Sequence, residues 1–351
     1  MSARSQRGLS LVEILVALVL SLILTAGVIQ LFVGSKQTYR FHEGLSRIQE
    51  NGRFALDLLA KDIRSAGYFG CLSAATNIDN ALTGATRFLW NYGQAIFGFE
   101  STGTSTWNPA LDTNIPSPLS GSDVITVRGG ADSAPINVIT HGGGAATLSV
   151  SADSGIQVGD ILAASNCQSL SVFQVTAVSD DPTCTSDCVR VLQHATGTTS
   201  PPPGNARASL ADNYAGSELI RAGTGGFTKT YYLRTGAGGM SALWRMVGPT
   251  ANEVVEGVER MEILYGICIG QGAARRVDAT VGYVTANSVT DWSAVCSVRV
   301  NLLLVSLEDN LTSNTAQAVI FPADTGNTIP VNDRRLRQAF STTVGIRNRL
   351  P

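Results

Sequence analysis

The feature that constrains this chain most is a long apolar run near its N-terminus. From Ile14 to Ser35 no residue carries a charge. At about 1.5 Å per residue, a helix of some twenty residues spans the roughly 30 Å hydrocarbon core of a membrane. Glu13 lies at the start of this apolar segment, where a carboxylate costs up to about 3 kcal/mol on insertion scales, and less near the interface. The sequence therefore predicts a membrane helix with an acidic residue that needs a partner.

The residues before the run predict on which side of the membrane the rest of the chain lies. Arg4 and Arg7 precede it without an acidic residue, so the positive-inside rule predicts a cytoplasmic N-terminus and an extracytoplasmic remainder. Two simpler interpretations fit less well. A cleaved secretory signal has a shorter apolar core and a small-residue cleavage site. A plain transmembrane anchor leaves Glu13 unexplained.

The composition of the remainder is typical of a secreted, β-rich domain. The formal net charge is −2 and charged residues make up 15% of the chain, so no basic field favours nucleic acid as a partner. The 36 glycines and the long polar stretches predict short strands joined by many loops. The chain after Lys36 is long enough for one large or two modest domains.

All six cysteines follow the apolar run, which favours disulfides in an oxidising compartment. Their pairing is left open by the sequence, because six cysteines allow many pairings. The six are Cys71, Cys167, Cys184, Cys188, Cys268 and Cys296.

Two groups of residues in the same region allow a metal interpretation. Cys184 and Cys188 lie near Asp181 and His194, but a zinc site needs a second ligand pair at defined spacing, so disulfides explain them better. Calcium could bind the cluster of Asp180, Asp181 and Asp187, although its spacing is not that of an EF-hand. We expect no metal and no cofactor.

A second helical pattern follows the apolar run. Apolar or small residues recur at intervals of three and four, which predicts an amphipathic helix that continues to about Ser65. This face either packs on the chain's own domain or binds a partner. Its members are Phe41, Leu45, Ile48, Gly52, Ala55, Leu59, Ile63 and Ala66.

From Tyr68 onward the pattern predicts β-strands. Runs such as "DVITVRG", "INVITHG", "SVFQVTAVS", "CVRVLQ" and "KTYYLRT" are rich in β-branched or aromatic residues. "ERMEILYGI" and "SVRVNLLLVS" alternate apolar and polar residues, with Arg260, Glu262, Arg299 and Asn301 on the polar faces. If these two strands are neighbours, Cys268 lies near Cys296. Residues 101–120 and 195–213 are predicted to be loops.

The segment "RGLSLVEILVALVLSL" resembles the prepilin signature of type IV pilin-like proteins. The resemblance implies cleavage between Gly8 and Leu9 by a prepilin peptidase, and N-methylation of Leu9. It also implies that Glu13 attracts the new terminal amino group of a neighbouring subunit, since an ion pair is strong in low dielectric. Leu9 departs from the phenylalanine that is commoner at the first mature position.

Two C-terminal segments, "VVEGVERMEILYGI" and "DRRLRQAFSTTVGIRNR", resemble the PilW family of minor pilins. The end of the long helix, "ALDLLAKDIRSAGYFGC", is also similar, whereas residues 72–250 carry no resemblance. The matching positions are Gly257, Val258, Glu259, Met261, Tyr265, Gly266, Thr343, Val344, Ile346, Arg347 and Asn348.

The resemblance implies an α+β, pilin-like fold, in which a long N-terminal helix packs on an extracytoplasmic antiparallel β-rich domain. The segments expected are a leader (1–8), a membrane and filament-core helix (9–35), its continuation (36–66) and the β-rich domain (67–351).

The resemblance also implies a minor pilin that joins other minor pilins in a priming or tip complex of a type IV pilus. Its expected partners are the other minor pilins, the major pilin, the prepilin peptidase, a tip adhesin and the inner membrane, before the chain enters the pilus. A minor pseudopilin of type II secretion is the alternative. A membrane-anchored binding domain or enzyme is the alternative from another class.

Catalysis has little support in the sequence. His42, His141 and His194 have no spacing to a Ser or Cys that is typical of a nucleophilic site, so we expect no enzyme. The basic C-terminal residues are either solvated or paired with acids of an adjacent subunit. They are Arg334, Arg335, Arg337, Arg347 and Arg349.

Overall fold

The structure is a computed structural model. It describes residues 10–71, 78–130, 134–141, 146–180, 189–270, 275–312, 317–322 and 328–349.

A single long helix, α1, occupies Leu11–Arg64 and has 54 residues, so it is about 80 Å long. Ser10 caps its N-terminus, because the Ser10 hydroxyl accepts a hydrogen bond from the Glu13 N–H (3.2 Å). Lys61 and Arg64 lie in the last turn, where positive charge complements the helix dipole. The chain then turns at Gly67, whose φ of +74° favours glycine.

The rest of the described chain is built from strands and a few short 3-10 helices. In chain order the strands are β1 (Ile78–Asn80), β2 (Ile96–Gly103), β3 (Thr106–Asn108), β4 (Val124–Arg128), β5 (Ile136–His141), β6 (Thr147–Ser151), β7 (Ile161–Ser165), β8 (Leu170–Gln174), β9 (Ala177–Asp180), β10 (Val189–Gln193), β11 (Glu218–Gly223), β12 (Thr228–Thr235), β13 (Ser241–Val247), β14 (Thr250–Glu256), β15 (Val258–Ile269), β16 (Arg276–Val277), β17 (Tyr283–Val284), β18 (Val295–Val305), β19 (Gln317–Ile320), β20 (Thr328–Val331) and β21 (Arg337–Gly345).

These strands form four sheets. An eight-stranded sheet has the order β1-β8-β7-β11-β5-β6-β10-β9, and a six-stranded sheet has the order β14-β13-β12-β4-β2-β3. A five-stranded sheet has the order β16-β15-β18-β21, with β17 also paired to β15, and β19 pairs with β20. The β1–β8 pair is parallel, and the other pairs described are antiparallel. The predicted class, one long helix and a large antiparallel β-rich domain, is confirmed.

The second half of α1 packs on the five-stranded sheet. Ile48, Ala55, Leu59 and Ile63 are buried together with apolar residues of β15, β18 and β21. The predicted apolar stripe is therefore the face that packs on the chain's own domain. A second apolar cluster, which includes Phe69, joins the six-stranded and eight-stranded sheets.

The strand predictions need three corrections. Asn301, predicted to lie on the polar face of its strand, is buried, as is Leu303 on the same face of β18. "SVFQVTAVS" forms two strands, β8 and β9, because the chain leaves β7 to pair with β10. The predicted loop 101–120 contains the end of β2 and all of β3, which form a hairpin, and Trp107 Nε1 of β3 donates to the Ser122 carbonyl (3.0 Å).

The predicted loop 195–213 has no strand and is held by two buried amides. Gln174 Nε2 donates to the carbonyls of Gly159 (2.8 Å) and Pro201 (3.0 Å). Asn205 Nδ2 donates to the Gln174 carbonyl (2.7 Å), and its Oδ1 accepts from the Gln174 N–H (2.8 Å). One of these bonds satisfies a carbonyl of the proline-rich loop, and the two from Asn205 satisfy the backbone of Gln174 at the end of β8.

Candidate assembly surface

The first half of α1 is an apolar surface that no other described part of the chain covers. Its large apolar residues between Leu11 and Val33 are between 48% and 76% exposed. By length and composition, α1 is the one helix in the described chain that could cross a membrane. A continuous apolar surface of this length is stable only in lipid or against other apolar helices.

Glu13 is the acidic residue of this surface. It is the third residue of α1, and its backbone N–H is the donor in the cap with Ser10. No ion pair involves its carboxylate among the residues that the structure describes. The partial positive charge of the helix N-terminus favours an acid here. Gly8 and Leu9 lie outside the described residues, so the cleavage site and the role of Glu13 remain predictions.

Two glycines let the second half of α1 approach the domain closely. A Cβ built on Gly52 would lie 2.6 Å from the Phe340 ring of β21. A Cβ on Gly44 would lie 2.7 Å from a methyl group of Leu311. Arg40, one turn before Gly44, pairs with Glu308 (2.9 Å). These contacts mark where the helix begins to rest on the sheet.

A buried charge cluster fixes the other end of the helix. Asp62 accepts hydrogen bonds from Lys229 Nζ (2.9 Å) and Tyr231 Oη (2.6 Å), and Arg245 lies 3.4 Å away. The side chains of Asp62 and Lys229 are only 3% and 4% exposed, so each is the counter-ion that the other needs. This cluster was not predicted from the sequence. The signal was an aspartate inside the apolar stripe, between Leu59 and Ile63.

The two C-terminal segments with a family resemblance meet in one sheet. Arg337 of β21 binds Glu259 of β15 through two hydrogen bonds (2.6 and 2.9 Å), across the intervening strand β18. The same guanidinium binds Asp333 (2.6 and 2.7 Å). These hydrogen bonds lower the pKa of Asp333 and raise that of Arg337. The buried Arg337 therefore joins both segments.

Other residues of the β15 segment have packing roles. Tyr265 is buried, contacts the Trp292 ring edge-on (4.9 Å) and fills the space beside Gly98, where a Cβ would clash with its hydroxyl. Gly257 has a φ of +83°, and a Cβ there would lie 2.7 Å from the Val305 carbonyl oxygen. The resemblance thus falls on positions that build the sheet.

Three of the basic C-terminal residues differ from both predictions, because they bind this chain's own backbone. Arg334 Nε donates to the Thr312 carbonyl (2.8 Å), and Arg335 donates to the Ser306 carbonyl (2.8 Å). Arg349 donates to the Trp292 and Val295 carbonyls (2.5 and 2.7 Å). Burial lowers the pKa of Arg349 to about 10. Arg347 is exposed.

Two disulfides are present in the described chain. Cys71, just after α1, pairs with Cys167 between β7 and β8, with a Cα–Cα distance of 4.9 Å. Cys268 pairs with Cys296 across β15 and β18, with a Cα–Cα distance of 5.8 Å, as their prediction as neighbouring strands implied. Cys184 and Cys188 lie outside the described residues.

The residues considered as metal ligands are not assembled into a site in the part that the structure describes. Asp180 binds Arg190 (2.7 and 2.9 Å), while Asp181 and Asp187 lie outside the described residues. His194 is buried against Phe173 and His141, and burial followed by His141 lowers its pKa to about 4. Among the described residues, no group of three or more His, Cys, Asp or Glu could hold a metal ion.

Two segments of the chain match models of known protein families. Residues 3–29 match the family model of the prokaryotic N-terminal methylation motif. The N-terminal segment therefore matches that of prepilin-type, type IV pilin-like proteins. Residues 230–348 match the family model of the type IV pilus-assembly protein W, PilW. Together, the two matches correspond to a PilW-like, prepilin-type pilin.

No curated protein matches the chain significantly. One similar solved structure is the type IV-like pilin TTHA1219 from Thermus thermophilus, with 13% identity and a TM-score of 0.30. That alignment covers 87% of this chain and 99% of the other.

A match to pilin-type families implies a structural protein. The methylation motif, joined to an exposed apolar helix, fits a pilin anchored in the inner membrane. A pilin of this kind interacts with other pilins, with the prepilin peptidase and with the membrane.

Proposed function

We propose that this chain is a minor subunit that assembles with other minor pilins into the priming or tip complex of a type IV pilus. The observation that carries the proposal is the division of α1 into an uncovered apolar half and a half fixed to the β-rich domain. The apolar half enters a filament core, and the rigid second half then sets where the domain lies on the filament. The function is association, without covalent chemistry.

In this proposal the chain passes through two environments. The first half of α1 spans the inner membrane, with the N-terminus in the cytoplasm and the domain in the periplasm. The prepilin peptidase cleaves after Gly8 and methylates Leu9. Glu13 then attracts the amino group of a neighbouring pilin, which aligns the two helices, because an unpaired charge in low dielectric is heavily penalised. The complex starts polymerisation of the major pilin and supports a tip adhesin.

The test uses the native host and compares two acidic residues of α1. We expect the wild-type chain in sheared filaments, and we expect loss of surface pili when its gene is deleted. Glu13→Val is expected to be made and cleaved but not to restore pili. Glu50→Val is the matched control, because Glu50 is an exposed acid in the half of α1 that carries the domain, and it should restore them. Full piliation without the chain would contradict the proposal. Its presence in a secretion complex only would favour type II secretion.

A further inference from the structure

The outer edge of β21 is an unpaired strand edge in the five-stranded sheet. The pairing of β21 with β18 runs over nine consecutive residue pairs. The Ser306 N–H donates to the Leu336 carbonyl, and the Ile346 N–H donates to the Cys296 carbonyl, both at 2.8 Å. In an antiparallel ladder such bonded pairs alternate, so the even-numbered residues of β21 bond to β18.

The odd-numbered residues of β21 therefore direct their N–H and C=O groups away from the sheet. These residues are Arg337, Ala339, Ser341, Thr343 and Gly345. Within the described chain, none of these backbone groups has a hydrogen-bond partner. The edge thus offers five donors and five acceptors in a regular row about 7 Å apart.

The β21 edge lacks the devices that usually protect a sheet edge. Lysine, proline, a bulge or a short length normally prevent pairing with another chain. The sequence of β21, "RQAFSTTVG", contains neither lysine nor proline, and its single charge is neutralised by Glu259 and Asp333. The strand has nine residues.

The other outer strands of the described sheets are short or protected. β1, β3, β9 and β16 have two to four residues each. β14 has seven residues, but it carries Glu253 and Glu256 and meets β13 through an irregular register. Compared with these outer strands, β21 is long, regular and unprotected, so its edge is suited to pairing with another strand.

A groove beside the edge leaves room for such a partner. It lies between α1 and β21 and has a volume of about 490 Å³. Leu56 and Ala60 of α1 and Phe340 of β21 supply its apolar walls. The Oε1 atom of Gln338, which also lines it, is buried without a hydrogen-bond partner among the described residues.

Two copies of this chain cannot pair through their β21 edges while both α1 helices enter one membrane from the same side. An antiparallel edge-to-edge pair has its twofold axis perpendicular to the sheet, which would point the two α1 helices in opposite directions. Their apolar halves could not then enter one membrane from the same side. A twofold axis along parallel strands would place identical groups opposite each other, N–H against N–H, so no ladder would form.

We propose that β21 receives a β-strand from a different protein subunit of the same assembly. The donor is an extended segment of about nine residues that continues the sheet, with small or apolar side chains at alternate positions facing Leu56 and Ala60. This inference rests on the proposed assembly function and names the kind of contact through which the domain takes part in it.

The first test removes one outward donor. Ser341→Pro deletes an N–H that faces away from β18, so no bond within the sheet is lost, and its ring blocks an added strand. Ser341→Ala is the control that keeps the N–H. In the native host, Ser341→Ala should enter sheared filaments as well as the wild type. Ser341→Pro should fall about tenfold or more, because the lost bond and the steric block exceed about 1.4 kcal/mol.

The second test measures strand addition directly. Amide hydrogen exchange is compared, residue by residue, between the purified full-length chain and the assembly extracted from host membranes. The Ala339, Ser341 and Thr343 amides should exchange quickly in the purified chain and slowly in the assembly. Those of Phe340 and Thr342 should be slow in both, because they bond to β18.

The outcomes separate the two proposals. Rapid exchange of the odd-numbered amides in the assembly, or normal incorporation of Ser341→Pro, overturns the strand pairing and leaves the filament function intact. Slow exchange in membrane extracts, with the wild type missing from the filaments of a piliated host, supports the pairing and overturns the filament function. Protection by a second copy of this chain would also overturn the proposal.

Discussion

Gly52 shows at the scale of one residue how the helix rests on its domain. The Phe340 ring occupies the space where a Cβ would stand. Gly52→Ala gains up to about 1 kcal/mol of helix propensity but must displace this ring, and overpacking costs about 1 to 3 kcal/mol. We expect a net loss of about 1 kcal/mol in the free energy of unfolding of the full-length protein in detergent.

Gly34→Ala is the matched control for Gly52, because the space around Gly34 is open and only the propensity changes. Phe340→Leu should rescue Gly52→Ala by making room for the added methyl group. A Gly52→Ala variant more stable than the wild type would contradict the close contact.

Substitution of Asp62 should lower the free energy of unfolding more than Gly52→Ala does, because Asp62 is buried with an equally buried lysine. Asp62→Leu removes the buried anion that lies 2.9 Å from Lys229, and breaking a buried ion pair by removing one partner costs about 3 to 5 kcal/mol. Lys229→Leu should cost less, because Asp62 keeps the Tyr231 hydroxyl and Arg245 as partners.

The Asp62→Leu/Lys229→Leu double variant should be more stable than Asp62→Leu alone, as measured by denaturant unfolding of the full-length protein. Additive losses from the two changes would show that the pair has no energetic coupling.

His194 links stability to pH. Burial and the nearby His141 lower its pKa to about 4, whereas an unfolded histidine titrates near 6.5. Between these values the unfolded chain binds a proton that the folded chain does not, so this residue lowers stability as the pH falls from 6.5 to 4.

His194→Phe keeps a ring in the same space and removes the titration. Between pH 7.5 and 4.5 the wild type should lose about 2 to 3 kcal/mol more unfolding free energy than the variant. Parallel stability curves for the two proteins over this range would contradict the assignment.

At the scale of elements, the Cys71–Cys167 disulfide connects the end of α1 to the eight-stranded sheet. It closes a loop with a sequence separation of 96. A bridge over such a loop contributes about 4.7 kcal/mol in the chain-entropy description.

Cys71→Ser, Cys167→Ser and the double variant should therefore lose about the same stability in the unreduced protein, because each lacks the same bond. The readout is the denaturation midpoint of the full-length protein without reductant. A midpoint equal to that of the wild type would mean that the bridge does not stabilise the fold.

The sequence predicts elements where one periodicity dominates. The stripe from Ile48 to Ile63 indicated the buried face of α1, because a helix on a flat sheet buries every third or fourth residue. The alternation in β18 predicted a strand but not the burial of Asn301, since the pattern of one strand does not report what covers its second face.

Contacts between distant residues explain what the sequence could not predict. The Asp62 cluster and the Glu259–Arg337–Asp333 network each join residues that become neighbours only when the sheets form. A local sequence pattern does not predict such long-range pairs. The apolar surface of the assembly site could be predicted, because it depends on one continuous helix, whereas the open edge of β21 depends on strand order.

At the scale of the whole molecule, α1 carries two different surfaces on one continuous helix. Its first half needs lipid or other helices, and its second half is fixed to the β-rich domain at Gly52 and at Asp62. A displacement of the first half of α1 should therefore move the β-rich domain with it. This coupling is what a subunit needs if the position of its helix is to determine the position of its outer surface.

The most direct test of the central claim is the mass of the N-terminal peptide, measured on the chain isolated from membranes of its native host. A subunit processed as a prepilin should begin at Leu9 and carry one N-methyl group, because the peptidase removes residues 1–8 before assembly. An intact N-terminus, in cells with an active prepilin peptidase, would contradict the account and leave Glu13 as a charge in a simple membrane anchor.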